Sequence, residues 1–113
     1  MRDAISEVFS ALGDDTRRTI YEKLLAQARG CTATELAERA AVSRQAIVKH
    51  LQVLERSGLA LAVREGREVR YFAAADGTAH ASTWLIDHAA AWDKRIATLE
   101  ESVRAARRNG STS

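Results

Sequence analysis

The 113-residue sequence predicts a mainly α-helical domain with one small β-hairpin and a long C-terminal helix. Three observations carry that prediction. Apolar stripes at helical spacing recur up to about Ser57, the second, third and fourth each preceded by a capping residue. Two short alternating runs flank the pair Gly66-Arg67. A stretch free of glycine and proline then runs from about Thr78 to Arg107, with apolar residues spaced 4, 3, 4, 3, 4.

The first helix, over about 3–12, follows from Ile5, Val8, Phe9 and Leu12 at i, i+3, i+4 and i+7, with Gly13 as its stop. Asp14 is the expected N-cap of the second helix, and Asp15 adds negative charge at the positive end of the helix dipole. Ile20, Leu24, Leu25 and Ala28 are its expected buried face, and Gly30 its terminator. Thr32-Ala33-Thr34-Glu35 reads as a capping box opening a short third helix, with Leu36, Ala37 and Ala40 inward. After a turn at Ala41-Val42, Ser43 caps a fourth helix that runs to about Ser57 and stops at Gly58. Two short helices joined by a tight turn make a helix-turn-helix over about 33–57.

The fourth helix carries most of the functional signal. Ile47, Leu51 and Leu54 form an inner stripe, while Gln45, Lys49, Gln52 and Arg56 form a polar outer stripe beside Arg44. An ordinary solvated face has the same polarity. Arginine and lysine reach guanine edges, however, and glutamine pairs with adenine, and no acid interrupts this stripe. Residues 59–65 and 68–73 then read as two strands joined at Gly66-Arg67, a hairpin over about 59–75 with Arg64, Arg67 and Arg70 at its tip. A hairpin blunted by charge against edge pairing would look similar. Directly after a helix-turn-helix, it has the build of a wing.

Charge distribution agrees. The net charge is +2, but residues 43–73 hold six basic and three acidic side chains, a local +3, whereas residues 1–30 and 74–113 each hold five of each sign. A basic segment attracts polyanions, nucleic acid above all. The expected DNA contacts are Ser43, Arg44, Gln45, Val48, Lys49, Arg64, Arg67 and Arg70, with Thr32 joining Ser43 at phosphates, Arg17 a weaker candidate on the flanks and His50 near the DNA backbone.

The last helix, about 78–107, would reach roughly 45 Å, too long for so small a domain to cover. Its seam of Leu85, Ala89, Trp92, Ile96, Leu99 and Val103 is expected to meet a second copy of the chain, with Val8, Phe9 and Trp84 adding contacts. Packing of the stripe within one chain is the alternative. Residues 1–108 are expected to form a single domain, and 109–113 a disordered tail.

These residues resemble a known family, the ArsR/SmtB winged-helix repressors. The resemblance rests on Phe9 through Ile20, on Thr34-Glu35-Leu36-Ala37 with Val42 through Leu54, and on Gly58-Leu59 with Arg64-Glu65-Gly66-Arg67 and Tyr71; it covers about residues 5–75. It implies a homodimer that binds double-stranded DNA and represses transcription. Asp15 stands where the family often has proline, and Val48 where serine is frequent on the recognition helix, exchanging a polar contact for one a thymine methyl accepts. The final helix, with Trp84, Trp92 and Leu99, looks like a subgroup without the family's metal sites.

The ligand inventory leads to the same expectation of no metal and no cofactor. The family's thiolate site needs two cysteines, and Cys31 is alone. His80, Asp87 and His88 lack the ordered pairs of the last-helix site and read as solvated or interface residues. No nucleophile–base spacing, glycine-rich phosphate loop or H-E-x-x-H occurs, so an enzyme is not expected. A lone cysteine, no secretory leader and no spanning segment point to the cytoplasm rather than a membrane. The competing readings are a protein–protein interaction module and a ligand-sensing regulator using the C-terminal helix; any small-molecule effector is left open.

Overall fold

The computed structural model describes residues 3–110, which form α1 (Ala4–Leu12), α2 (Asp15–Ala26), β1 (Cys31–Thr32), α3 (Ala33–Glu38), α4 (Arg44–Arg56), β2 (Ala60–Glu65), β3 (Glu68–Ala73) and α5 (Ala75–Gly110). The fold is a winged helix-turn-helix with a long last helix. Two units are distinguished, one up to Ala81 and one from Ser82 onward.

In the first unit the helices start where short polar side chains accept orphan backbone N–H groups. Asp3 accepts from Ser6, Asp14 from Arg17, Thr32 from Glu35 and Ser43 from Ala46. The two aspartates sit below their ordinary pKa, mainly because these N–H donors stabilise the carboxylate. Arg17 and Arg18 close the corner between α1 and α2: Arg17 donates to the carbonyls of Ala11 and Ser10, and Arg18 to Leu12 and to Asp15. Arg17 is thus spent on the fold rather than held toward DNA.

The core joins Val8 and Ala11 of α1, Ile20, Tyr21 and Leu24 of α2, Leu36 of α3, Ile47, Leu51 and Leu54 of α4, Leu59, Tyr71, and Ala81 of α5. Leu24, Ile47, Leu51, Leu54, Leu59 and Val8 are fully enclosed. Two expectations change here. Val8, expected at a subunit interface, is 1% exposed and already has all its neighbours within the chain. Leu25, expected in the core, is 59% exposed. Tyr21 is buried instead, its hydroxyl hydrogen-bonded to that of Thr78. Helix α2 ends at Ala26, so Ala28 lies beyond it and is exposed.

The sheet has three antiparallel strands in the order β1-β3-β2. The two-residue β1, not foreseen from the sequence, pairs Cys31 with Tyr71 and Thr32 with Arg70. In the hairpin Ala60 faces Ala73 and Glu65 faces Glu68, leaving Gly66-Arg67 as the two-residue turn. Gly66 has φ +64° and no non-glycine residue among the described residues has a positive φ, the type II′ pattern that matches the strands' twist.

Helix α5 starts three residues earlier than expected and includes Gly77. A Cβ there would lie 2.5 Å from the Ser57 carbonyl oxygen, and the Gly77 N–H donates to Gly58 at 2.8 Å, so the backbones of this corner touch. The helix also takes in Asn109 and Gly110, expected in a disordered tail; 111–113 lie outside the described residues.

In the second unit every seam residue is exposed: Leu85, Ala89, Trp92, Ile96, Leu99 and Val103. Arg104 pairs with Glu100 and Glu101 along the same helix. No described helix is long and apolar enough to cross a membrane.

Candidate nucleic-acid interface

Helix α4 presents two chemically opposite faces. Ile47, Leu51 and Leu54 are completely buried, which fixes the rotation of the helix on the core. That rotation leaves Arg44, Gln45, Lys49, Gln52 and Arg56 exposed along the outer side. No acidic residue stands in the first turn of α4, so its positive dipole end is uncompensated. Arg44 is steadied by a bond from its Nε to the Thr34 hydroxyl at 3.2 Å, which ties the first turn of α4 to that of α3. Ser43 spends its hydroxyl as an acceptor for the Ala46 N–H and remains exposed.

Between the start of α4 and the hairpin lies an open groove of about 640 Å³. Thr32, Ala33, Thr34 and Glu35 line it on the α3 side, Arg44 and Val48 on the recognition helix, and Arg67, Glu68, Val69 and Tyr71 on the hairpin. Val48 is half-buried against the core and turns the rest of its surface to this groove.

Strand alternation separates the hairpin's charges. Arg64 pairs with Val69 and shares its face with Ala62 and Tyr71, whereas Glu65, Glu68 and Arg70 occupy the other face. Arg64 and Arg67 are exposed, and neither forms a salt bridge among the described residues. Arg70 differs from the sequence expectation. It is not at the tip but mid-strand, opposite Val63 and Thr32, and its side chain is only 20% exposed. Its guanidinium donates to the Gly30 carbonyl at 3.2 Å and to Glu35 at 3.2 Å, with longer bonds to the Arg29 carbonyl and Glu68.

Thr32, expected as a phosphate contact, is buried, and its hydroxyl is occupied in capping α3. The sequence reading missed Thr34 as the support of Arg44 and Glu35 as the partner of Arg70. The S/T-x-x-E pattern pointed to Glu35 as a capping side chain, but the carboxylate turns instead to the sheet.

The metal candidates are dispersed: among the described residues no three His, Cys, Asp or Glu side chains come together. His88 stacks on Trp84 with ring centroids 3.8 Å apart, and its Nδ1 lies 2.8 Å from the Trp84 carbonyl oxygen. Burial, reinforced by the Glu35 charge, pushes the Cys31 thiol above its ordinary pKa, so it stays protonated near neutral pH.

Comparison with known proteins places this geometry. A helix-turn-helix domain family model matches residues 12–64. An ArsR-like transcriptional regulator from Rhodococcus sp. RHA1 has a solved structure 39% identical in sequence, with a TM-score of 0.75 over 87% of this chain and 91% of that one. The chain belongs to the ArsR family. A second relative of this ArsR-family protein is the uncharacterized HTH-type transcriptional regulator YuzN of Bacillus subtilis (strain 168), 42% identical over a 66-residue alignment that covers 53% of this chain and 71% of YuzN. The homodimeric winged helix-turn-helix DNA-binding domain of Mb0332 from Mycobacterium bovis shares the fold, with a TM-score of 0.62 at 24% identity over 77% of this chain and 79% of that one. Family membership makes the protein a transcriptional regulator of the DNA-binding, helix-turn-helix class.

Proposed function

We propose that this ArsR-family regulator is a homodimeric repressor that reads an inverted-repeat operator with α4 and grips its flanks with the hairpin. The observation that carries the proposal is the split of α4. Its apolar face is wholly buried, while a stripe of arginine, lysine and glutamine, free of acids, stays in solvent. Buried arginine or glutamine anchors would be costly; exposed ones at groove-reading spacing are available to base edges. Arg44, Gln45 and Lys49 read bases, Val48 meets a thymine methyl, and Ser43 stands at a phosphate beside the open α4 N-terminus. Arg64 and Arg67 follow the backbone on either side.

A second copy of the chain is the partner for α5. Its heptad seam exposes Leu85, Trp92, Ile96, Leu99 and Val103 by 48–62%, a continuous apolar strip that water disfavours. Trp84, 38% exposed on the same helix, extends this strip, and Phe9 of α1, equally exposed, is a separate candidate contact. The homodimeric state of the Mycobacterium bovis domain supports the same assembly. Two-fold symmetry then sets two α4 helices in successive major grooves, about 34 Å apart. Occlusion of a promoter in the cytoplasm is the resulting action, with no catalytic step, metal or cofactor.

Selection of bound sequences from random duplex DNA tests this. The expected result is an inverted repeat with half-sites one helical turn apart. No enrichment would overturn sequence-specific binding, and enrichment of a single half-site would overturn the two-fold dimer. Derepression of a reporter on deletion of the protein separates repression from activation.

A further inference from the structure

The first turn of α3 touches both DNA-facing elements. Thr34 receives the Arg44 Nε of the recognition helix, and one residue later Glu35 receives the Arg70 guanidinium of the wing. Arg70 reaches further still, to the Gly30 carbonyl in the loop before β1. That loop is itself seated closely on β3. Gly30 has φ +75°, and a Cβ there would stand 2.6 Å from the Tyr71 carbonyl oxygen. One planar guanidinium therefore spans the loop before β1, the start of α3 and the central strand of the sheet.

We infer that Arg70 is a positioning residue that locks the wing onto the first turn of α3 through Glu35, and so sets where Arg64 and Arg67 stand relative to α4. The inference rests on the reading that the wing grips DNA. The chemistry favours a fixed link over a phosphate contact. Arg70 lies on the face opposite Arg64, shares its fork between two carbonyls and two carboxylates, and exposes only a fifth of its side chain. Glu35 and Glu65 border the same hollow as Arg70 and Glu68 pairs with it, so three carboxylates against the one further cation there, Arg29, disfavour a phosphate at this place. Lysine does not replace such a group, because a single ammonium lacks the planar fork that bridges several acceptors.

The two roles predict opposite signs for one substitution. Glu35→Gln removes a negative charge beside DNA, so if Arg70 were a phosphate ligand its release would tighten binding. As a positioning link, its loss loosens the wing and weakens binding by about three- to tenfold. Arg70→Met is expected to weaken binding by a similar factor, Arg70→Lys not to restore it, and Glu35→Gln/Arg70→Met to be no weaker than Arg70→Met alone. Amide exchange at 61–72 in the DNA-free protein is expected to speed up in both single variants.

The measurements are affinity for the selected operator duplex across a salt titration and hydrogen exchange without DNA. Tighter binding by Glu35→Gln, full rescue by Arg70→Lys, additive effects in the double variant, or unchanged hairpin exchange would each overturn the link. Arg67→Ala, run alongside, judges the wing's DNA contact separately. Parental affinity and salt slope for that variant would defeat the wing reading, while the exchange data still decide the Arg70–Glu35 link.

Discussion

Substitution of Leu99 by alanine gives the sharpest test of the assembly. Leu99 is the fifth of the six seam residues of α5 and keeps 54% of its surface exposed in the single chain. Full burial of a leucine stabilises by roughly 1.5–3 kcal/mol, so covering the remaining half contributes about 1 kcal/mol per copy. A two-fold interface uses the residue twice, and the loss is about 2 kcal/mol per dimer, close to a thirtyfold rise in the dissociation constant. Sedimentation over a concentration series measures that constant directly. Leu25, 59% exposed on α2 and outside the seam, provides the matched control. Leu99→Ala is expected to shift association by the stated factor and Leu25→Ala by little. Equal effects of the two, or a chain that is monomeric throughout, would refute the seam. DNA binding follows the same curve, since a monomer engages one half-site and forfeits the second.

Four further outcomes are expected. Gln45→Ala relaxes base preference at one operator position by about 1–3 kcal/mol, read by competition between operator variants; Arg67→Ala instead weakens all sequences and lowers the magnitude of the log–log salt slope by about 0.9. Gly77→Ala lowers the midpoint of thermal unfolding, because its Cβ would lie 2.5 Å from the Ser57 carbonyl oxygen and the corner would have to open. Asp14 accepts the Arg17 N–H, which holds its folded pKa below the ordinary value; burial opposes this, and the Arg17 and His50 charges add smaller downward effects. A depressed folded pKa contributes stability above the unfolded value and loses it as pH falls through the folded one. The parent protein should therefore lose stability more steeply below about pH 4 than Asp14→Asn, which does not titrate; parallel melting curves from pH 5 to 2 would refute this.

The sequence by itself determined what depends on near neighbours. Asp14, Thr32 and Ser43 cap their helices because each acceptor needs only the N–H three residues on. The 3.6-residue period was enough to divide α4 into its buried and polar faces, and Gly66 was enough to place the hairpin turn. The tertiary structure decided everything that depends on what lies opposite. Val8 and Phe9 fall on one helical stripe, yet only the packing of α1 buries the first and leaves the second partly in solvent. Leu25 and Tyr21 exchange places for the same reason, since the width of a buried face is set by the neighbouring elements rather than by the helix. The two residues of β1 carry no strand signal of their own and become a strand because β3 offers its edge. Arg70 is the largest change. As a letter in an arginine-rich hairpin it is one more cation for DNA; its partner Glu35 lies 35 residues away, and only the folded chain brings the two together.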